Sequence, residues 1–302
     1  MEINYTIIIP HKNTPQLLQR CLDSIPPRDD IQIIIVDDNS DPSIVHFDHF
    51  PGLDQPNTEV YFTKVSKGAG YARNVGLQHA KGKWLVFADA DDFFMPCFNE
   101  ALDKYMDNEN DVIYFKQTAV DSKTLKLHTW YMFVNDILSK IQKTNDWNLV
   151  LKIVPTPWGK LIKHDLIMQH NIQFQESLWS NDVLFFVKLA TISTKKLISD
   201  QIVYCYVINR QESLMGNHTI ESMSVRHQVC IDAFVYLKKI SKEKYYFHFI
   251  VFWWFRILKT GKITVAISLL HKMFKICGFW YTLKGIIRNI RLMHTILFSD
   301  IL

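Results

Sequence analysis

Residues 87–94 read FADADDFF, which places Asp89, Asp91 and Asp92 within four positions, directly after an apolar run and before two phenylalanines. Like charges this close repel, and desolvating each carboxylate costs several kcal/mol unless something cationic compensates. The turn is therefore either fully solvated or a seat for a cation. A second acidic pair, Asp37-Asp38, ends the apolar run Ile31–Val36. Zinc has no support: the histidines form no HxxxH or HExxH pair, and the five cysteines form no CxxC pair. Scattered thiols suit a reducing compartment rather than a disulfide framework. Residues 67–73, KGAGYAR, begin like a dinucleotide-binding GxGxxG, and Asp89 lies 19 residues beyond Gly70. Arg73 stands where the third glycine belongs, however, and the stretch follows a later strand rather than the first. A cluster of acids would also repel a cofactor phosphate unless metal were present.

The elements around these residues alternate. Ile3–Ile9 and Ile31–Val36 are continuous apolar runs, the mark of strands buried on both faces. Between them, Thr14-Pro15 opens a helix in which Leu17, Leu18, Cys21, Leu22 and Ile25 recur at helical spacing, until Pro26-Pro27 stops it. Glu59–Thr63 reads as a third strand, Tyr71–Ala80 as a helix with Gly82 at its C′ position, and Lys83–Ala88 as a fourth strand. Further on, the pattern predicts a helix near Pro96–Met106, a strand at Val112–Val120, a breaker-rich loop at residues 155–160, a helix over Ser180–Ile192 and a strand at Ile202–Ile208. From about Thr219 onward the reading is helical. Such alternation implies a doubly wound, mainly parallel sheet, which binds ligands at the carboxyl ends of its strands. Asp37-Asp38 and Asp89-x-Asp91 both fall at strand ends and so belong on one edge.

The matching pieces IIIPHKN (7–13), IIIVDDNSD (33–41), KGAGYARNVGLQHAKGKWLVFADADD (67–92) and, more loosely, PWGKLIKHDLI (157–167) and SNDVLFF (180–186) give the chain a resemblance over about its first 210 residues. It resembles the inverting family 2 glycosyltransferases of the GT-A fold. That resemblance implies an α/β, Rossmann-like, mixed but mainly parallel sheet flanked by helices, and a nucleotide-sugar donor, UDP-linked. It implies that Pro10, His11 and Asn13 with Asp38 bracket the nucleotide base, and that Lys67 and Arg73 contact the nucleotide. Asp89 then faces ribose and metal, and Asp91 is the principal ligand of a Mn2+ or Mg2+ ion. A hard divalent cation takes carboxylate and diphosphate oxygens and keeps several waters, so few protein ligands suffice. The base for the acceptor hydroxyl falls on Asp182, in a segment where the family has Glu-Asp and this chain has Asn181-Asp182. Alternatively, Asp182 is only an anion in the first turn of a helix. Arg210, in a Tyr…Arg…Ser element, either reaches a donor phosphate or acceptor or is a solvated loop residue. Trp158 is either a sugar platform or a packed loop anchor. Asp37 is expected to order its turn, and Asp92 to cap the next one, the alternative being that it supports the metal.

The chain divides by this reading into a transferase domain, 1–215, and a helical, basic-aromatic region, 216–302. Residues 244–299 hold nine Lys/Arg and no Asp/Glu, which leaves the rest of the chain acidic by five charges. The longest uncharged run there, Tyr245–Phe255, is short of the ~20 residues that span a bilayer. Basic plus aromatic without a span suggests peripheral attachment to an anionic membrane surface, the alternative being a helical lid packed on the domain. The acidic remainder and the lack of a recognition motif argue against nucleic acid. The N-terminus, MEINYTIIIP, lacks the basic and long apolar regions of a signal peptide. The expectation is a cytoplasmic enzyme, peripheral on the cytoplasmic face of the membrane, that moves sugar onto a glycan or lipid-linked acceptor in cell-surface polysaccharide synthesis. Two alternatives are a non-catalytic glycan- or nucleotide-binding homologue and a sugar nucleotidyltransferase. The latter is disfavoured because Pro10-His11-Lys12-Asn13, not a glycine-rich loop, follows the first strand.

Overall fold

The computed structural model describes residues 2–153, 156–209, 216 and 218–287. Two compact units divide it, Met1–Ser213 and Leu214–Leu302.

In the first unit, strands β1 (Tyr5–His11) and β2 (Ile31–Asp37) are buried at every position, as their unbroken apolar runs require. They pair in parallel, with β3 (Thr58–Phe62) parallel to β2 at one edge and β4 (Trp84–Phe87) parallel to β1 on the other side. Helices α1 (Pro15–Asp23) and α2 (Ala69–His79) link them. The short β5 (Phe93–Phe94), α3 (Phe98–Tyr105), β6 (Val112–Asp121), α4 (Met132–Thr144), β7 (Lys160–Lys163), α5 (His164–Gln169), α6 (Val183–Ile192) and β8 (Lys196–Ile208) follow. The eight strands form one mixed sheet in the order β3-β2-β1-β4-β7-β6-β8-β5. Strand β7 runs antiparallel between β4 and β6, whereas β6 and β8 are parallel. Order reverses around β1, so the loops after β1, β2 and β4 open onto one edge.

Local departures from the periodicity have physical causes. Pro15 opens α1, but Thr14 makes no side-chain cap bond; its backbone N–H goes to His11 Nε2 at 3.1 Å. The glycine at 82 is needed for close approach rather than as a C′ residue. Helix α2 ends at Ala80 in extended backbone, and a Cβ at Gly82 would lie 2.5 Å from both Tyr5 C and Thr6 N. Ser180 has φ +55°, so it cannot be helical, and α6 starts at Val183. Strand β8 reaches back to Lys196 because β6 pairs with it through two register shifts.

The second unit is helical: α7 (Ile220–Lys238), α8 (Phe247–Lys259) and α9 (Ile263–Cys277). Thr219 caps α7 by accepting from Ser222 N at 3.2 Å. Met223, Ile257 and Ala266 form a buried cluster, and Trp254 Nε1 donates to the Ala266 carbonyl at 2.8 Å. Among the described residues no single helix is long and apolar enough to cross a membrane; Ile263–Cys277 and Phe279–Ile287 form a pair bent by 119°.

Candidate functional site

The turn after β2 is built on Asp37. Its carboxylate meets His11 Nδ1 at 2.8 Å and accepts from Ser40 N at 2.9 Å and Ser40 Oγ at 2.5 Å. Burial works to raise its pKa, but His11 and Ser40 hold it below the usual carboxylate range. Asp37 thus orders the turn. His11 is only 2% exposed and both ring nitrogens are used, Nδ1 on Asp37 and Nε2 on the Thr14 N–H. The imidazole thus braces the turn after β2 against the entry to α1. Asn13, with φ +55°, ties the two loops, donating its N–H to Ser40 Oγ and accepting from Asp41 N, each at 2.8 Å. Pro10 is buried within β1.

Asp38 reaches the opposite way. It accepts from Lys67 N and Gly68 N, both at 2.9 Å, and from Ser66 Oγ at 2.8 Å. Its carboxylate therefore holds the loop that enters α2, where Gly68 takes φ +90°. A side chain at Gly68 would be strained there. Lys67 Nζ is about half exposed, 3.2 Å from Glu176, with its ammonium 4.6 Å from the Tyr71 ring centre.

After β4 the three carboxylates diverge in role. Asp92 is fully buried and accepts from Tyr204 Oη and Val207 N of β8, both at 2.8 Å. Both of its oxygens are thus taken up by β8, so it is a tether between strands rather than the expected cap of the next turn. The same Tyr204 hydroxyl accepts from Asp89 N at 2.8 Å and so fixes the whole turn. Burial, then the charges of Asp91 and Asp89, push the Asp92 carboxyl well above its ordinary value. One oxygen each of Asp89, Asp91 and Asp92 lie within 4.8 Å of one another. Hard oxygens this close fit a divalent cation held from the Asp89 and Asp91 side.

Arg73, 4% exposed, joins this turn to the loop before α6: one guanidinium nitrogen meets Asp89 at 2.5 Å, the other donates to Asn181 Oδ1 at 2.8 Å. The ring of Phe174 lies 5.3 Å from the guanidinium carbon. Asp182, half-buried, makes no cap bond to α6. Loss of solvent pushes its carboxyl up to about 6, Arg73 pulls it down, Asp89 pushes it up and Lys160 pulls it down. Asp38, Lys67, Arg73, Asp89, Asp91 and Asp182 are thus linked through α2 and its flanking loops, while Arg210 lies outside the described residues. Trp158 is 3% exposed and stacks on Tyr204 and Tyr206, each at 5.2 Å, as a packed anchor. Periodicity missed two residues. The tether Tyr204 sits 115 positions from Asp89, beyond any local pattern. Lys160 is a lysine on a short apolar strand, where its inward facing could have been noticed.

Among curated relatives, a poly(ribitol-phosphate) β-glucosyltransferase of Bacillus spizizenii is 27% identical over 224 residues, covering 70% of this chain and 33% of its own. This chain spans about a third of the length of that relative. Two solved structures share the fold. Staphylococcus aureus TarS in complex with UDP-GlcNAc has a TM-score of 0.67 at 16% identity, covering 95% of this chain and 89% of that one. The mannosyltransferase PcManGT of Pyrobaculum calidifontis, in complex with GDP-Man and Mn2+, has 0.55 at 15% identity, covering 90% and 75%. The sheet is accordingly the GT-A sheet that the resemblance implies. Residues 6–163, more than half of the chain, match the family described as Glycosyl transferase family 2, and the chain belongs to it.

Proposed function

We propose that this chain is a metal-dependent, inverting glycosyltransferase that moves a sugar from a UDP-sugar to a glycan or lipid-linked acceptor in cell-surface polysaccharide synthesis. The observation that carries this reading is the Arg73 bridge, which ties Asp89 of the acidic turn to Asn181, the residue next to Asp182, through one guanidinium. In this reading the loops Pro10–Asn13 and Asp38–Gly68 receive the nucleotide, with Lys67 and Arg73 toward its phosphates. Asp89 and Asp91 would hold Mn2+ or Mg2+, which when bound neutralises charge developing on the departing nucleoside diphosphate. Asp182 takes the proton of the acceptor hydroxyl as the acceptor oxygen bonds to the anomeric carbon and the sugar–phosphate bond breaks on the opposite face. A base near pH 6 is matched to that work at neutral pH. The activities and ligands of the relatives support the donor and acceptor classes: a poly(ribitol-phosphate) β-glucosyltransferase, TarS with UDP-GlcNAc, and PcManGT with GDP-Man and Mn2+.

The basic-aromatic unit brings the enzyme to the cytoplasmic face of an anionic membrane. Support comes from its composition and from large apolar side chains exposed beside lysines, Ile263 and Ile267 with Lys262, and Phe279 and Trp280 with Lys284.

A thermal-shift panel of UDP- and GDP-sugars with Mn2+ or Mg2+ tests the assignment. The expected result is stabilisation by a UDP-sugar plus metal, lost in Asp91→Ala. An unchanged melting temperature with every nucleotide sinks the reading.

A further inference from the structure

Lys160 on β7 is a buried lysine that the assignment above leaves unused. It is 4% exposed, and among the described residues no carboxylate lies within ion-pair distance of it. Its ammonium donates to the Thr156 carbonyl at 2.7 Å, to Thr156 Oγ1 at 3.3 Å and to the Trp158 carbonyl at 3.2 Å. Those acceptors satisfy its hydrogens but do not neutralise its charge. A buried cation without a counter-ion is costly unless some other group compensates. Two rings flank it, Tyr114 at 5.7 Å and Phe186 at 5.2 Å. Tyr114 is its register partner across β6 and β7, which explains the first contact. The second contact carries more. Phe186 lies one turn into α6 from Asp182 and donates its N–H to the Asp182 carbonyl at 2.8 Å. The ammonium is therefore placed against the first turn of the helix that Asp182 opens.

We propose that Lys160 is a positioning residue for Asp182: held by the 156–158 loop, its ammonium keeps that carboxylate in the charged form that accepts the acceptor's proton. The catalytic part of this rests on the reading of Asp182 as the base. Three charged groups act on Asp182: Arg73 from α2, Asp89 from the end of β4, and Lys160 from β7. Arg73 is shared with Asp89 at 2.5 Å, so much of its charge is already answered. Lys160 has no such competitor, and Asp182 is the charge that acts on it. Burial pushes the ammonium down to about 7, with Asp182 opposing, while Asp182 itself is pushed up to about 6. The pair is thus doubly charged mainly between these two values. Below that window Asp182 is protonated, and well above it Lys160 is neutral.

The experiment is a double-mutant cycle of Lys160→Met and Asp182→Asn, read by urea unfolding of the full chain from pH 4.5 to 9. Near pH 6.5 the two substitutions should be non-additive by threefold or more in the unfolding equilibrium constant, and additive at both extremes. Lys160→Gln, a second neutral replacement, should give the same window if the methionine variant does not fold. Additivity at every pH overturns the proposal. A second measurement uses turnover: in Lys160→Met the acidic limb of the kcat/KM profile should move up by about half a pH unit, because the carboxylate loses an attracting charge. A limb that stays in place while kcat falls shows a purely structural lysine and also overturns it. Because the unfolding cycle needs no substrate, its failure is separable from failure of the transferase reading. In that second case the wild type would transfer no sugar while the pair remained coupled.

Discussion

At the residue scale, the site places its charges where a folded chain alone would avoid them. Asp182 has lost solvent without gaining a hydrogen-bonded cap, so its carboxyl is raised from 3.8 to about 6. The sign of the consequence is fixed. An acid whose folded pKa exceeds its unfolded one gives the native state an advantage at low pH, which is lost as the pH rises from 3.8 through 6. Above pH 6 the ionised group is a net cost. Asp182→Asn removes the charge and keeps the shape. It should therefore stabilise the apo protein at pH 7.5 by on the order of 1–3 kcal/mol, with the gain vanishing near pH 4. The same variant should lose about 10²–10⁴-fold in kcat while UDP-sugar binding is retained. Melting curves at the two pH values and turnover assays check both parts; a variant no more stable than wild type at pH 7.5 refutes the stored cost. How far such roles were legible in the sequence differs from acid to acid. Adjacency alone marked both acidic clusters as chemistry-bearing. It could not separate Asp37 from Asp38, or Asp92 from Asp91, because their partners come from elsewhere. Val207 and Tyr204 reach Asp92 from more than a hundred residues away.

At the scale of elements, β1 and β2 follow directly from hydrophobic period, since each is seven residues long and buried throughout, while the partly exposed β3 and the four-residue β4 are placed by their alternation with helices. The insertion of β7 between β4 and β6 is a different matter. Four residues, Lys160–Lys163, carry too little pattern, and their pairing is antiparallel in a sheet whose other early strands are parallel. The start of α6 is set by backbone strain at Ser180, which composition does not report. Helix α2 shows why these junctions matter. Gly70 sits in its first turn, where an added Cβ would lie 2.1 Å from Gln175 O and 2.8 Å from Asn181 Cβ. The glycine therefore lets α2 approach the loop that delivers Asn181 and Asp182. Gly70→Ala should push that loop away, costing about 1–3 kcal/mol of stability and lowering kcat by tenfold or more. Gly76→Ala lies on the same helix, but its Cβ would meet the side chain of Ile8 at 2.5 Å. It should destabilise comparably while sparing kcat in the molecules that remain folded. Equal kcat losses in the two variants would refute a specific role for the α2–loop approach.

At the scale of the whole molecule, charge is distributed unevenly. Residues 244–299 contribute nine positive charges and no negative one, against an acidic remainder. The helical unit also leaves large apolar groups in solvent. Trp280 is 69% exposed, Ile267 61% and Phe279 52%. In α9, Ile263 and Ile267 stand one turn apart, and Lys275 continues that exposed side two turns on. Burying such groups in water-facing protein would be unfavourable to leave undone, whereas a lipid headgroup region accepts the rings and attracts the lysines together. Each Lys or Arg near an anionic surface adds ~1 kcal/mol, a contribution that salt screens within a Debye length. The full chain should therefore co-sediment with vesicles containing phosphatidylglycerol, bind vesicles of neutral lipid more weakly, and be released as ionic strength rises. A double variant, Ile267→Glu with Trp280→Glu, replaces exposed groups only and should keep its melting temperature while losing vesicle binding. Retained binding would move the contact away from this face. Absence of binding by the wild type at low salt would refute membrane attachment, and self-association of the wild type, abolished by the same substitutions, would identify the face as an interface between copies instead.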